Sequence, residues 1–339
     1  MDHRFLYTSL CRIADLVEKP FDIRKLSKDQ WATGDYVAAK IMDPGGINLQ
    51  IELPSGRMRG IIGGDLLIGA LGERFATLEA TGSWKEVGND LRMHVLTAAG
   101  LLGKCTSKSV FLPQMMEVEY KGHIQRDSNK IRMEDFVEHV PDMPYNTPTV
   151  LFVGTSMSAG KTTSARIVTH LLKLAGLKVV GAKLTGAGRY KDILAIKDVG
   201  ADAIYDFVNV GLPSSIFPRE EFRMKVKQIT NRMAREKADI AVVEIGASPL
   251  EPYNGDLAIN AIRDQIKCVI LSASDPYAVY GLMKAFDIVP DIVTGKSTNT
   301  LAGQAMVEKL CGVPAINMID PTRMNEIKKI LSDTTGIKI

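Results

Sequence analysis

One ten-residue string constrains this chain more than any other feature: Gly154-Thr155-Ser156-Met157-Ser158-Ala159-Gly160-Lys161-Thr162-Thr163. It follows the apolar, β-branched run Thr149-Val150-Leu151-Phe152-Val153. It precedes a segment in which Ala165, Val168, Leu171, Leu172 and Ala175 recur at helical spacing before Gly176. A glycine-containing loop between a strand and a helix turns successive backbone N–H groups inward, so that a polyphosphate can sit on the helix N-terminus. Lys161 can then reach β- and γ-phosphate oxygens, and the Thr162 hydroxyl can ligate Mg²⁺. A Gly-Lys-Thr-Thr string can also merely open an ordinary helix. The strand before and the helix after are the context that selects a nucleotide-phosphate loop over residues 154–163.

The rest of the C-terminal half repeats that alternation. Lys178-Val179-Val180-Gly181-Ala182 reads as a short buried strand, and Pro218 opens a helix with Phe222, Val226, Ile229 and Met233 on one face. Ile240-Ala241-Val242-Val243 and Cys268-Val269-Ile270-Leu271 are near-continuous apolar runs, as strands buried on both faces require. Helices near 277–287 and 299–310 separate these from strands at Ile292-Val293 and Val313-Pro314-Ala315-Ile316. Asp320-Pro321, a capping aspartate before proline, starts a last helix. The pattern predicts an α/β domain over 149–339 with a mainly parallel, doubly wound sheet, whose ligands gather at the carboxyl ends of strands.

Residues 1–140 have a different period and punctuation. Residues 35–41 and 49–53, separated by Pro44-Gly45-Gly46, read as strands, and 61–64 and 75–79 continue that style. Helix-like spacing runs from Asp90 to Lys104. This half is expected to be a smaller, strand-rich α+β domain. Three prolines within 141–148 mark the linker between the two.

Length and composition bound the function. The 339 residues suffice for two domains with separate cores. A net charge of +3 with no basic run predicts neither a nucleic-acid nor a membrane partner. The opening Met1-Asp2-His3-Arg4 has no apolar leader, and no apolar stretch approaches the roughly 20 residues that span a bilayer. The four cysteines are scattered, which fits thiols in a reducing cytoplasm better than a zinc site. A cytoplasmic location is expected. The isolated His94, His123 and His170 are read as helix or core residues.

Several polar groups follow strand ends. Glu244 closes the apolar run 240–243 before a small-residue turn, where a carboxylate in a P-loop protein orients Mg²⁺ or the attacking group. It can equally be a solvated strand-end carboxylate. Lys183 lies in a glycine-rich segment with Thr185, Gly186 and Arg189. A lysine there can neutralise charge on transferring phosphoryl oxygens, while the hydroxyl and open amides receive an anionic substrate; glycines can also mark only a turn. Asp198, Asp202 and Asp206 have the spacing of one helical face, either solvated or, with a cation, metal-binding. Tyr253 and Asn254 sit in a loop bounded by Pro and Gly that is suited to gripping a substrate. Thr294-Gly295-Lys296-Ser297-Thr298-Asn299-Thr300 is where base recognition can fall. It is not the Asn-Lys-x-Asp guanine motif, so nothing in it supports GTP specificity.

The loop, in its longer form of Gly154-Thr155, four residues, then Gly160-Lys161-Thr162, resembles dethiobiotin synthetase and its ligase relatives. These belong to the dimer-forming SIMIBI class of P-loop proteins, with the nitrogenase iron protein and the MinD-type ATPases. Ser156 stands where the MinD branch carries its signature lysine. Val243-Glu244-Ile245-Gly246-Ala247 is one residue off the Val-Glu-Gly-Ala of the synthetase. The Lys183 segment resembles its Tyr-Lys-Pro-Val, whose lysine touches both the carbamate and the γ-phosphate. Together with Leu184-Thr185-Gly186, residues 203–208 and the run 243–248 followed by Pro252-Tyr253, these segments resemble a P-loop family of unknown function. Some of its members are described as D-glutamate N-acetyltransferases.

The resemblance implies catalytic Lys161, Lys183 and Glu244, metal ligation by Thr162, Glu244 and Asp202, and a substrate facing Thr185, Gly186, Arg189, Tyr253 and Asn254. It implies an Mg²⁺- and ATP-dependent homodimer that phosphorylates or activates a small carboxylate or amine. A nucleotide-driven switch or metallochaperone acting on a protein partner, and an N-acyltransferase whose loop holds coenzyme A, are the alternatives.

Overall fold

The structure is a computed structural model that describes residues 5–43 and 49–339. The N-terminal tetrapeptide and the turn expected at Pro44-Gly45-Gly46 lie outside the described residues. The chain forms two compact units. The first comprises 1–139 with 187–191 and 207–216; the second comprises 140–186, 192–206 and 217–339. The first break thus falls beside the proline-rich linker, but two short stretches of the C-terminal half return to the first unit.

Five strands of the first unit pair in a closed ring. Leu66–Leu71 pairs with Tyr36–Asp43, then Glu117–Arg126, Arg92–Thr97 and Leu101–Lys108 follow, and the last pairs back with Leu66–Leu71. Alternate residues face inward, as a strand period of two requires. Val37, Ala39 and Ile41, then Leu67 and Leu71, Met93 and Val95, Val118 and Tyr120 form one buried cluster. Closure leaves these strands without an open edge.

The helix expected over 90–104 is therefore a strand pair, Arg92–Thr97 and Leu101–Lys108, and among the described residues of 1–139 the only helices are short 3₁₀ turns. Met93, Val95 and Thr97 already alternate. Gly100, at φ +90°, makes the reversal, and a Cβ there would lie 2.1 Å from the Thr8 hydroxyl. His123 is a core residue, as read: fully buried, it contacts the Asp35 carboxylate through Nε2 at 3.2 Å and the Tyr120 hydroxyl through Nδ1 at 2.6 Å.

The second unit is built on six parallel strands in the order Ala203–Asp206, Val179–Thr185, Ile240–Ile245, Thr149–Gly154, Ile266–Ser272, Ile292–Thr294. Every residue of Val179–Thr185, Ile240–Ile245 and Thr149–Gly154 is buried, which accounts for their near-continuous apolar runs, interrupted only near strand ends by Thr149, Lys183, Thr185 and Glu244. The covering helices are α1 (Lys161–Leu174), α2 (Tyr190–Lys197), α3 (Arg219–Arg235), α4 (Gly255–Ile262), α5 (Pro276–Phe286), α6 (Leu301–Cys311) and α7 (Met324–Thr335). Helix α3 buries Phe222, Val226, Ile229 and Met233, the face read from its spacing. Asp320 accepts from Thr322 N–H to start the 3₁₀ turn that leads into α7.

Two readings change. Residues 313–316 make only a bridge, Ala315 to Val293, in place of a strand. Asp198, Asp202 and Asp206 share no helical face, because α2 ends at Lys197 and Asp206 closes a strand.

Candidate functional site

The strand Thr149–Gly154 runs straight into the glycine-containing loop, and Gly160, left-handed at φ +112°, starts α1. That conformation suits glycine because it carries no Cβ. Gly154 has a second role: a Cβ there would lie 2.9 Å from Cγ and Cδ of Lys161, so its bareness admits the lysine stem. Lys161 is 2% exposed and donates from Nζ to the Ser156 carbonyl at 2.7 Å. Burial pulls its ammonium below the ordinary lysine range; Glu244 opposes that shift and Lys183 adds to it. Thr155 is partly committed to structure, since its N–H donates to the Ser272 carbonyl and its hydroxyl accepts from Ser274 N–H at 3.1 Å.

Register brings the other groups to the same end of the sheet. Phe152 pairs with Glu244 across one ladder, and Glu244 pairs with Lys183 across the next. The Thr162 hydroxyl donates to Glu244 Oε2 at 2.9 Å, so the two oxygens expected at Mg²⁺ are adjacent. Both are hard donors, which is the chemistry that Mg²⁺ selects. Lys183 is buried and paired with Asp192 through Nζ at 2.6 Å. Burial pulls this ammonium down, but Asp192, Glu244 and Asp206 outweigh it and hold it above the ordinary lysine range. Lys183 is thus kept charged. The passage for its stem is made by Gly186 and Gly246, where a Cβ would lie 3.3 and 2.8 Å from Lys183 Cε.

Other residues read from the sequence fall elsewhere. Asp202 precedes the strand Ala203–Asp206, at the amino end of the sheet, where it pairs with Lys173 at 2.7 Å and accepts from Val179 N–H. It is not placed with Thr162 and Glu244 as a metal ligand. Thr185 is fully buried and its hydroxyl donates to the Gly246 carbonyl at 3.0 Å, so it ties two strands together instead of offering itself to substrate. Tyr253 is fully buried as well. Asn254 takes a left-handed conformation at the start of α4 and donates to the Phe217 carbonyl. Those two organise the turn and are not displayed for gripping a ligand. Gly186 remains beside Lys183, whereas Arg189 belongs to the first unit, where it lines a cavity.

Sequence reasoning missed Asp192 as the partner of Lys183 and missed Glu251, which acts electrostatically on Lys161. Asp192 was visible as an acid nine positions beyond the lysine, but nothing in its own segment marked it above its neighbours. A cavity of about 140 Å³ adjoins the loop, lined by Ser158, Gly160, Thr163, Thr294, Lys296 and Asn299 among others. It includes the segment read as a place for base recognition. Among the described residues no helix is long and apolar enough to cross a membrane, and no cluster of three or more metal-ligating side chains occurs.

A parallel sheet, a strand–loop–helix junction at residues 154–163 and a carboxylate on the neighbouring strand give an α/β domain of P-loop type. The chain matches no known protein-family profile and no curated protein sequence. It is similar to the solved structure of chloroplast FtsY from Physcomitrella patens, at 16% identity and a TM-score of 0.37, over 52% of this chain and 60% of that one. It is also similar to a DUF1611 family protein from Anabaena variabilis, at 15% identity and a TM-score of 0.39, over 58% and 61%. For the signal recognition particle 54 kDa protein from Aeropyrum pernix the values are 17% and 0.37, over 57% and 50%. The chain therefore spans between half and about three-fifths of those structures.

Proposed function

We propose that this protein is an Mg²⁺-dependent, ATP-using enzyme that transfers a phosphoryl group to a small carboxylate or amine substrate. The observation that carries this reading is the second lysine: Lys183 is buried, held charged by Asp192, and aligned with Glu244 on the strand next to it. A loop that only retains a nucleotide needs one phosphate-reaching lysine. A second fixed ammonium is what a reaction needs when charge spreads over oxygens between donor and acceptor. Thr162 and Glu244 would hold the metal ion, which supplies charge neutralisation to the phosphate oxygens when bound.

Phosphate release from Mg-ATP, measured with and without small carboxylates and amines, tests the reading. Lys183→Ala should lower kcat by about two orders of magnitude, the typical loss for a transition-state charge contact, with ATP affinity falling only a few-fold. Lys183→Arg should rescue poorly, because a planar fork does not replace a compact ammonium. Normal turnover in Lys183→Ala would remove the basis of the proposal. Hydrolysis stimulated only by a protein, or retention of coenzyme A in place of ATP, would move the protein to the switch or acyltransferase alternative.

A further inference from the structure

The first unit contains a cavity of about 340 Å³ that the phosphate loop does not use, a size within the range of small-molecule sites. Its wall mixes polar and apolar groups: Met58, Met115 and Met116 supply an apolar, methionine-rich part, and Gln50, Thr97 and Gln114 supply neutral polar groups. Methionine adapts its shape to an occupant at little cost. Two guanidinium groups line the same space, and they differ. Arg74 is neutralised: it pairs with Glu79, also in the wall, and donates to the Leu96 carbonyl at 2.7 Å. Arg189 has no carboxylate partner among the described residues, and its buried Nε, like that of Arg74, has no hydrogen-bond partner. The charged groups of the wall therefore sum to a single positive charge, carried by Arg189.

The backbone around Arg189 is pinned on both sides. The Thr97 hydroxyl donates to the Gly188 carbonyl at 3.0 Å, and Gly188 N–H donates to the Pro213 carbonyl at 3.0 Å. On the other side the buried Glu52 carboxylate accepts from the N–H groups of Tyr190 and Lys191, at 2.7 and 2.8 Å. Gly188 allows the close approach, since a Cβ there would lie 2.7 Å from Leu10 Cδ2 and 2.8 Å from the Pro213 carbonyl. A guanidinium on a pinned backbone, with a buried Nε–H that has no partner, in a cavity lined by both polar and apolar side chains, suits a planar anion held by two parallel hydrogen bonds. Val110 and Phe111, 87% and 95% exposed, immediately precede Leu112 in the wall, so the loop carries apolar side chains that an occupant could cover.

We propose that this cavity binds a small monocarboxylate with an apolar body, its carboxylate on Arg189 and its body against the methionines. The site is independent of the phosphoryl-transfer reading. One net positive charge matches a monoanion and leaves a phosphate dianion undercompensated.

The test uses the full chain with ¹³C-methyl methionine and three probes: 3-phenylpropionate, its uncharged amide, and phenyl phosphate. The carboxylate should shift the Met58, Met115 and Met116 methyl signals saturably and leave that of Met157 in the phosphate loop in place. The amide should bind about tenfold more weakly or worse, the scale set by one charge-assisted contact. Arg189→Leu should cost about the same factor, and Arg189→Lys less. Arg189→Gln serves if the leucine variant fails to fold, and the melting temperature of each variant confirms folding. Unmoved methionine signals, equal binding of carboxylate and amide, unchanged affinity in a folded Arg189 variant, or tighter binding of phenyl phosphate would each overturn the proposal.

Discussion

At the scale of single residues, the phosphate loop holds a charge under tension. Lys161 is an almost wholly buried ammonium whose charged form burial disfavours, and its hydrogen bond goes to a carbonyl of its own loop. Removing it relieves a desolvation cost in the protein without nucleotide, while its contact with phosphate is lost when nucleotide is bound. Lys161→Met should therefore leave the melting temperature unchanged or raise it. ATP affinity should fall by about 10- to 150-fold, the equivalent of one hydrogen bond to a charged group at about 1.5–3 kcal/mol. Calorimetric titration beside a thermal melt checks both halves. Unchanged ATP affinity in a folded variant would remove residues 154–163 as the nucleotide site.

At the scale of elements, the sheet sets the site by register, and small residues at strand ends keep the register tight. A Cβ on Gly246 would lie 2.2 Å from the Thr185 carbonyl and 2.8 Å from Lys183 Cε. Gly246→Ala should push the ends of Val179–Thr185 and Ile240–Ile245 apart, costing about 1–3 kcal/mol as overpacking does, and should lower turnover more than ATP affinity. Equal stability and turnover in the variant would show that the strand ends tolerate separation. The opposite end of the sheet gives the contrasting prediction. Asp202 is partly exposed; burial pushes its carboxyl up, but the pair with Lys173 and the bond from Val179 N–H outweigh this and hold it below the ordinary range. A depressed carboxyl stabilises the fold above its unfolded value of about 3.9 and loses that contribution as pH falls. Asp202→Asn should cost about 1 kcal/mol near neutrality, less than a buried pair because solvent screens it, and the cost should shrink below about pH 4. Nucleotide affinity should not change; a Mg²⁺-dependent loss of affinity would restore Asp202 as a metal ligand. These two positions also show what was legible beforehand. The loop, the strand ending in Glu244 and the buried face of α3 follow from short-range period and spacing, which a sequence displays directly. Asp192 over Asp202, Thr185 turned onto Gly246, and the strand pair in place of a helix over 90–104 depend on contacts across the sheet or barrel. No local pattern encodes which of several neighbouring acids meets a given lysine.

At the scale of the whole molecule, the two compact units cannot be separated by cutting the chain once. The chain returns to the first unit at 187–191 and again at 207–216, so a fragment ending at His139 lacks both stretches. Its losses can be weighed. Glu52 is fully buried, and without Tyr190 and Lys191 its carboxylate forfeits two backbone N–H donors and keeps the Ser9 hydroxyl. Hydrogen bonds to a charged group contribute about 1.5–3 kcal/mol each, so this loss alone is about 3–6 kcal/mol. Phe207, Val208 and Val210 are fully buried in the 3₁₀ turn Phe207–Val210, which packs on the turns Ser9–Ile13 and Met133–Phe136. Each such side chain is worth about 1.5–3 kcal/mol of burial. A domain of this size has only about 5–15 kcal/mol in total, so the fragment should not fold. Circular dichroism and hydrogen exchange on residues 1–139 should show no cooperative unfolding and little protection in the strand Glu117–Arg126, whereas the intact chain should protect it strongly. A fragment that melts cooperatively would mean that the closed ring of five strands is self-sufficient, and that the returning segments serve Arg189 and its cavity without being required for the fold.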